Sequence, residues 1–193
     1  MSSTTLTSEL DAINALLSAI GESPINTLEV SGLADVAAAK AVLNEVSRAV
    51  QTVGWHFNSE DDYPLSRDVD GRIALPSNVL KIDTTDEYAH ADVVQRGTTL
   101  YNKTTRSDIF ATDLEVNIVF LLGWNQLPQV ARHYIMVKAA RIFQARRLGA
   151  ETLFKFSQQE EFDAYAAMNE AEGDTGDYNM FNGSYSVAQI LER

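Results

Sequence analysis

The spacing of apolar residues changes twice along the chain, and this change limits the fold more than any other feature of the sequence. Over residues 8–20 and 35–53, and again over 128–172, apolar residues recur every three or four positions, which is the period of an amphipathic helix. Between 55 and 123 the period is nearer two and turn residues are frequent, which is typical of short strands. Helices and strands segregated in this way predict an α+β fold and not an alternating α/β fold.

Four helices are predicted from this periodicity and from residues that start or stop helices. Ser8 and Asp11 form a capping pattern at the first start, and Gly21 is a natural stop. Asp35 stands where the cap of the second helix belongs, and Pro128 suits the first position of the third. The predicted spans are 8–20, 35–53, 128–149 and 151–172.

Six short strands are predicted between the second and third helices, at 56–58, 72–75, 80–83, 92–96, 99–102 and 115–122. Arg96, Gly97 and Thr98 separate two of these strands and are typical of a tight hairpin turn. Pro64 and Pro76 are expected at boundaries and not inside strands, because proline has no N–H to donate to a sheet.

The order of elements predicts three parts of the chain. Residues 1–55 and 124–172 form a discontinuous helical body, in which helices from both ends of the chain make a bundle. Residues 56–123 form a small inserted β subdomain, bracketed by Trp55 and Trp124. Residues 173–193 form an extended C-terminal tail, because this segment has too few aliphatic residues to fold by itself.

No motif in the sequence predicts a catalytic, cofactor-binding or metal site. The chain has no Cys, which excludes disulfides, thiolate metal sites and cysteine nucleophiles. Its three histidines lack the spacing of a metalloprotease helix, and neither a glycine-rich phosphate loop nor a nucleophile elbow is present. We therefore predict a protein that is not an enzyme and that carries no cofactor.

Two pairs of adjacent acids keep one enzymatic alternative open, a cell-wall hydrolase. The pairs are Asp61 with Asp62 and Glu160 with Glu161. Such an enzyme needs two acids that face each other across a cleft, roughly 5 to 10 Å apart. Adjacent residues point to opposite faces of a strand, and on a helix they diverge by about 100°. We therefore expect these four residues to be solvated surface acids.

The net charge of −12, from 27 acidic and 15 basic residues, argues against tight binding to nucleic-acid phosphates. An acidic wall repels DNA, which suits a channel that must not hold it. Residues 1–7 lack the features of a signal peptide, and the near-apolar run at 116–124 is too short to cross a bilayer. The expected place of synthesis is the cytoplasm, without membrane association.

Two groups of residues are candidates for docking a protein partner. The first is the densest basic group of the chain, Arg141, Arg146 and Arg147. These arginines either interact favourably with a helix dipole or contact an acidic partner. The second group lies in the tail and consists of Tyr178, Met180, Phe181 and Tyr185. Large side chains of this kind are typical of a docking segment, although they could instead attach the tail to its own body.

Five segments carry a resemblance to a known family. The longest is LDAINALLSAIGESPINTLE at 10–29; the next is the helix with AAA at 37–39 and VLNEV at 42–46, which closes on GWHFN at 54–58. Three shorter segments are VNI at 116–118, KAAR at 138–141 and YNM at 178–180. Together they resemble the tail tubular protein A family of short-tailed bacteriophages, the podoviruses. These motifs are structural and include no catalytic signature.

The resemblance implies a structural virion protein that acts as a tail adaptor. Members of that family form a dodecameric ring beneath the portal protein, the tail nozzle protein docks below it, and tail fibres attach around the junction. The genome passes through the central hole without specific binding. The expected location is therefore the tail or neck of the virion, with host cytoplasm as the place of assembly. A head-completion protein of another tail type and a monomeric binding module are the remaining alternatives.

Overall fold

A computed structural model describes residues 5–29, 34–85, 88, 91–148 and 151–175, with the backbone alone for 151–157. The described residues form four α-helices: α1 (Glu9–Ala19), α2 (Ala34–Gln51), α3 (Gln129–Leu148) and α4 (Glu151–Thr175). Between α2 and α3 lie β1 (Ser59–Leu65), β2 (Val79–Thr84), β3 (Val93–Arg96), β4 (Thr99–Asn102) and β5 (Leu114–Phe120). The predicted α+β class is confirmed.

The start of α1 is fixed by the predicted capping pattern. The Ser8 hydroxyl accepts a hydrogen bond from the Asp11 backbone N–H at 3.1 Å, and the Asp11 carboxylate accepts one from the Ser8 N–H at 2.9 Å. The Ser8 hydroxyl also donates to the Asp11 carboxylate at 2.6 Å. This bond and the bond from the Ser8 N–H favour the charged carboxylate and hold the pKa of Asp11 below its usual value. The cap therefore satisfies donors that the first turn of a helix leaves without a partner.

Several helix boundaries differ slightly from the prediction. Asp35 was expected at the cap of α2, but the helix already includes Ala34, so Asp35 lies in the first turn. The fourth helix continues past Gly173, its expected end, to Thr175. A single glycine costs a helix only about 1 kcal/mol, which neighbouring turns offset. Pro128 is expected at the first position of the third helix, but α3 begins one residue later, at Gln129.

The first two predicted strands are wrong. Residues His56–Asn58 form a 3-10 helix, and β1 begins one residue later, at Ser59. Residues 72–75 form two isolated bridges, in which Ile73 pairs with Arg67 and Ala74 with Thr99. Pro64 lies inside β1 and not at a boundary, since β1 is an edge strand, where proline is tolerated.

The remaining strands agree with the predicted segments and form two antiparallel sheets. The three-stranded sheet has the order β1-β5-β2, and β3 and β4 form the predicted hairpin around Gly97. Side chains from the inner face of the larger sheet pack with side chains of the hairpin and of the 65–75 segment. The buried residues of this cluster are Leu65, Ile73, Leu75, Val79, Ala91, Val93, Leu100, Phe110, Leu114, Val116 and Ile118.

The chain divides into two compact units. The first takes in residues 1–43 and 128–193, and the second takes in 44–127. The three predicted parts, 1–55 with 124–172, 56–123 and 173–193, have different boundaries, and most of the tail lies outside the described residues. That three-part division stays a prediction.

In the first unit α3 is the central helix, since α1 and α4 both pack against it. The Gln144 side-chain amide donates to the Ala19 carbonyl at 2.8 Å, which ties the end of α1 to α3. Arg132 is buried, and its guanidinium donates to the Thr7 carbonyl at 3.0 Å. These bonds fix where the N-terminal segment meets α3.

In the second unit two buried amides join the end of α2 to the end of β5. Gln51 is fully buried; its side-chain oxygen accepts from the Leu122 N–H at 2.7 Å, and its side-chain nitrogen donates to the Leu122 carbonyl at 3.2 Å. Asn58 accepts from the Trp55 N–H at 2.9 Å and donates to the Phe120 and Gln51 carbonyls at 2.7 and 2.9 Å. Each amide thereby hydrogen-bonds to backbone groups at the junction of α2 and β5, where buried backbone groups need partners.

Candidate functional site

The three arginines of the basic group do not share one surface. Arg141 lies in the middle of α3 and not near its end, and its guanidinium forms a hydrogen-bonded ion pair with Glu161 of α4. The side chains of Arg141 and Glu161 are 19% and 16% exposed. Lys138 lies 3.8 Å from the same carboxylate and also donates to the Tyr134 hydroxyl at 3.0 Å. Arg141 is therefore engaged within the chain.

The other two arginines lie in the last turn of α3, where cations interact favourably with the helix dipole. Arg147 forms an ion pair with Asp35 of α2, at 2.6 Å, and its guanidinium lies 5.7 Å from the centre of the Phe143 ring. Arg146 is exposed. The four aromatic and apolar tail candidates, Tyr178, Met180, Phe181 and Tyr185, lie outside the described residues.

The four residues of the acidic pairs lie in four different environments. Glu160 is exposed, as expected, but Glu161 is half-buried against Arg141 and is not a solvated acid. Asp62 adopts a left-handed backbone conformation with φ 54°, where the register of β1 shifts between Glu60 and Tyr63. Asp61 is exposed and lines a cleft, which the sequence did not predict.

The cleft lies in the second unit, on the outer face of the three-stranded sheet, and has a volume of about 270 Å³. It is lined by Val53, Gly54, Ser59, Asp61, Lys81, Asp83, Asn117, Ile118 and Val119. Gly54 has φ 87°, and a Cβ atom there would lie 3.1 Å from a Val119 methyl carbon. Glycine therefore lets the chain turn away from α2 while it passes close to β5.

Sequence reasoning did not single out Lys81 and Asp83. Their spacing of two residues places them on one face of a strand, which was the available signal. This spacing alone was insufficient to predict the cleft. Pairing with β5 sets Lys81 opposite Val119 and Asp83 opposite Asn117. That register depends on residues more than thirty positions away in the chain.

Exposed apolar side chains form a surface in each of the two units. In the second unit, Val69 is fully exposed at a turn and Ile109 is 58% exposed. The loops that carry them are joined by an ion pair between Arg72 and Asp108 at 2.9 Å, which lowers the pKa of Asp108 and raises that of Arg72. In the first unit, Phe162 and Tyr165 of α4 are 65% and 42% exposed. Exposed side chains of this size are typical of protein interfaces.

The described part of the chain contains no group of three or more side chains that could hold a metal ion. Within the same residues, every helix is too short or too polar to cross a membrane. The geometry therefore offers surfaces for protein contacts and a small charged cleft.

A family model described as tail tubular protein matches residues 10–178, which is most of the chain. This chain belongs to the tail tubular protein family. The family consists of structural, non-enzymatic phage proteins, so this tail tubular protein is a structural component of a phage tail. The resemblance found in the sequence is confirmed to that extent, and the hydrolase and head-completion alternatives are not favoured. A search of curated proteins found no match.

Proposed function

We propose that this tail tubular protein is a ring-forming adaptor, which joins the portal of a short-tailed phage to the tail nozzle and lines the channel for DNA. The observation that carries the proposal is the family match over residues 10–178. A tail built around a DNA channel needs ring-shaped components, and repeated copies of one chain supply them when each contacts the next through two different surfaces.

The first unit supports this proposal with a surface for contacts between neighbouring copies. Phe162 and Tyr165 lie on the same helix, α4, and Tyr165 also packs on Tyr134 of α3, with 5.3 Å between the ring centres. Helices packed side by side would cover these rings. In this arrangement the helical unit forms the body of the ring, and the strand-rich unit faces the nozzle or the tail fibres.

The charge of the chain supports passage of DNA without binding. A net charge of −12 in each copy gives the ring an acidic character, and a wall of like charge repels the phosphates of DNA. No specific contact with the genome is expected. Virion tails are the final location, and the host cytoplasm is the place of assembly.

Native mass spectrometry of the full chain, alone and mixed with the portal ring of the same phage, tests the proposal. The expected result is a complex that carries about one copy of this chain per portal subunit, because one symmetric ring stacks on another. A chain that stays monomeric in the presence of the portal ring would contradict the adaptor function.

The same experiment tests the proposed role of the tail, which is to reach a neighbouring copy or the portal. Because α4 continues to Thr175, the matched variant ends after that residue and keeps the helix whole. We expect this variant to retain the helical circular dichroism of the full chain and to lose portal binding. Undiminished binding by the truncated chain would show that the tail has no docking role.

A further inference from the structure

The cleft on the outer sheet face carries charges that no other described residue neutralises. Asp61 and Asp83 approach it from the two strands that flank β5, and Lys81 lies beside them. Among the described residues, none of these three side chains forms an ion pair, and the only partner of the Asp83 carboxylate is the neighbouring Thr84 N–H, at 2.9 Å. Two carboxylates against one ammonium leave the cleft with a net negative charge.

The spacing of these acids fits a guanidinium group. Asp83 pairs with Asn117 on one side of β5, and the register shift in β1 places Asp61 and Asp62 opposite Asn117 on the other side. Neighbouring strands are about 4.8 Å apart, so the two cleft carboxylates are separated by roughly 10 Å. A planar guanidinium with donors on opposite edges can bridge such a pair, whereas a single ammonium cannot. Val53 and Val119 can cover its methylene groups.

Few basic side chains among the described residues are available as the occupant. Of the described lysines and arginines, three have no hydrogen bond, ion pair or ring contact through their side chains: Arg48, Lys81 and Arg106. Lys81 already lines the cleft. Arg48 lies on α2 as an ordinary exposed helix residue.

Arg106 is presented by a preorganised turn. Its φ is 57°, a left-handed conformation that is costly for a residue with a Cβ atom. The turn is held by Asn102, whose side-chain oxygen accepts from the Thr104 and Thr105 N–H groups at 2.9 and 3.1 Å. Two backbone bonds between Asn102 and Ser107 close it. A rigid turn needs no further ordering of its backbone when the side chain that it carries binds.

The turn and the cleft belong to opposite layers of the second unit. Leu100 of β4 packs in the same buried cluster as Val116 and Ile118, so the hairpin covers the inner face of the three-stranded sheet. The cleft is on the outer face, with Asn117 and Lys81. One copy therefore presents Arg106, a hydrogen-bond donor, in one layer of the second unit and the acidic cleft, its acceptor, on the opposite face.

We propose that the cleft of one copy binds Arg106 of a second copy, in a head-to-tail contact between strand-rich units. The contact rests on the proposed assembly of several copies. It joins two different surfaces, so it can repeat from copy to copy and close a ring. The guanidinium lies over Asn117 between Asp61 and Asp83.

Site-directed disulfide trapping tests this contact, since the natural chain contains no Cys that could interfere. Val53→Cys at the cleft rim and Thr105→Cys beside Arg106 are made in separate full-length chains of different tagged mass. Both positions are exposed, and neither change removes a charge of the contact. Under mild oxidation in the presence of the portal ring, the mixture is expected to give a cross-linked heterodimer, whereas each variant alone gives little.

Charge variants decide whether Arg106 and the acids carry the contact. Adding Arg106→Glu to the Thr105→Cys chain is expected to lower the heterodimer yield about tenfold, and Asp83→Arg in the Val53→Cys chain is expected to do the same. The two reversals combined should restore the yield, because they exchange the charges across the contact. Heterodimers that persist with Arg106→Glu alone would overturn the proposal.

The two proposals fail in different ways. If native mass spectrometry detects the complex with the portal and the heterodimer does not form, the Arg106 contact is wrong and the adaptor function stands. If no complex forms with the portal at all, the adaptor function itself is wrong.

Discussion

Replacement of Asn58 by Ala is expected to lower the free energy of unfolding of the strand-rich unit by about 3–5 kcal/mol. The Asn58 side chain is 3% exposed and makes hydrogen bonds to the backbone of Gln51, Trp55 and Phe120. Alanine would remove all three of these hydrogen bonds, although the Gln51 carbonyl would still accept from the Gly54 N–H at 3.2 Å, and it would also leave a small cavity. A buried backbone group costs about 1–3 kcal/mol when it loses its partner.

Urea unfolding followed by tryptophan fluorescence measures this effect, because Trp55 is buried directly beside Asn58. Asn78→Ala is the matched control: Asn78 also donates to a backbone carbonyl, that of Leu121 at 3.2 Å, but it is exposed. Its replacement should change stability by no more than about 0.5 kcal/mol. Equal effects of the two substitutions would contradict the role assigned to Asn58.

Replacement of Glu161 by Ala should destabilise the helical unit by about 2–4 kcal/mol, because it leaves the half-buried guanidinium of Arg141 without its carboxylate. Lys138, whose ammonium lies 3.8 Å from the Glu161 carboxylate, would also lose part of the compensation of its charge. Thermal unfolding followed by circular dichroism at 222 nm reports on this change, since it measures helix content.

Glu160→Ala is the control, because the adjacent Glu160 is exposed, and its effect should stay within about 0.5 kcal/mol. A second variant that replaces both Arg141 and Glu161 by Met should recover much of the loss, because the guanidinium of Arg141 is removed together with its carboxylate. If Glu160→Ala and Glu161→Ala have the same effect, the ion pair does not stabilise the packing of α3 on α4.

Local features of the fold could be predicted from the sequence because their causes are local. The Ser8 cap, the hairpin around Gly97 and the start of α3 near Pro128 each depend on a few adjacent residues. Strand β1 was missed because Glu60, Asp61 and Asp62 interrupt the alternation of polar and apolar residues. Its position is set by pairing with β5, which is distant in the chain.

The functional surfaces were harder to predict for the same reason. Arg141 and Glu161 lie on separate helices, so their pairing depends on how α3 and α4 pack. The cleft depends on the register of three strands. The arginines of the basic group at 141–147 are close together in sequence, but Arg141 contacts α4 and Arg147 contacts α2.

Several residues that carried the family resemblance hold turns and loops of the fold in place. Asn14 holds the loop after α1, because its side chain accepts from the Ile25 N–H at 2.8 Å and donates to the Ile25 carbonyl at 3.0 Å. Gly54, Trp55 and Asn58 form the turn from α2 into β1. Such residues identify a fold and a family, but they do not identify which partner the surface binds.

Electron cryo-microscopy of tails from assembled virions tests the adaptor function most directly. The expected result is a closed ring of copies of this chain between the portal and the nozzle, with the DNA channel along its axis. The α3 and α4 helices should be recognisable in the body of that ring. A reconstruction in which the portal contacts the nozzle directly, or in which this chain lies elsewhere in the tail, would contradict the adaptor function.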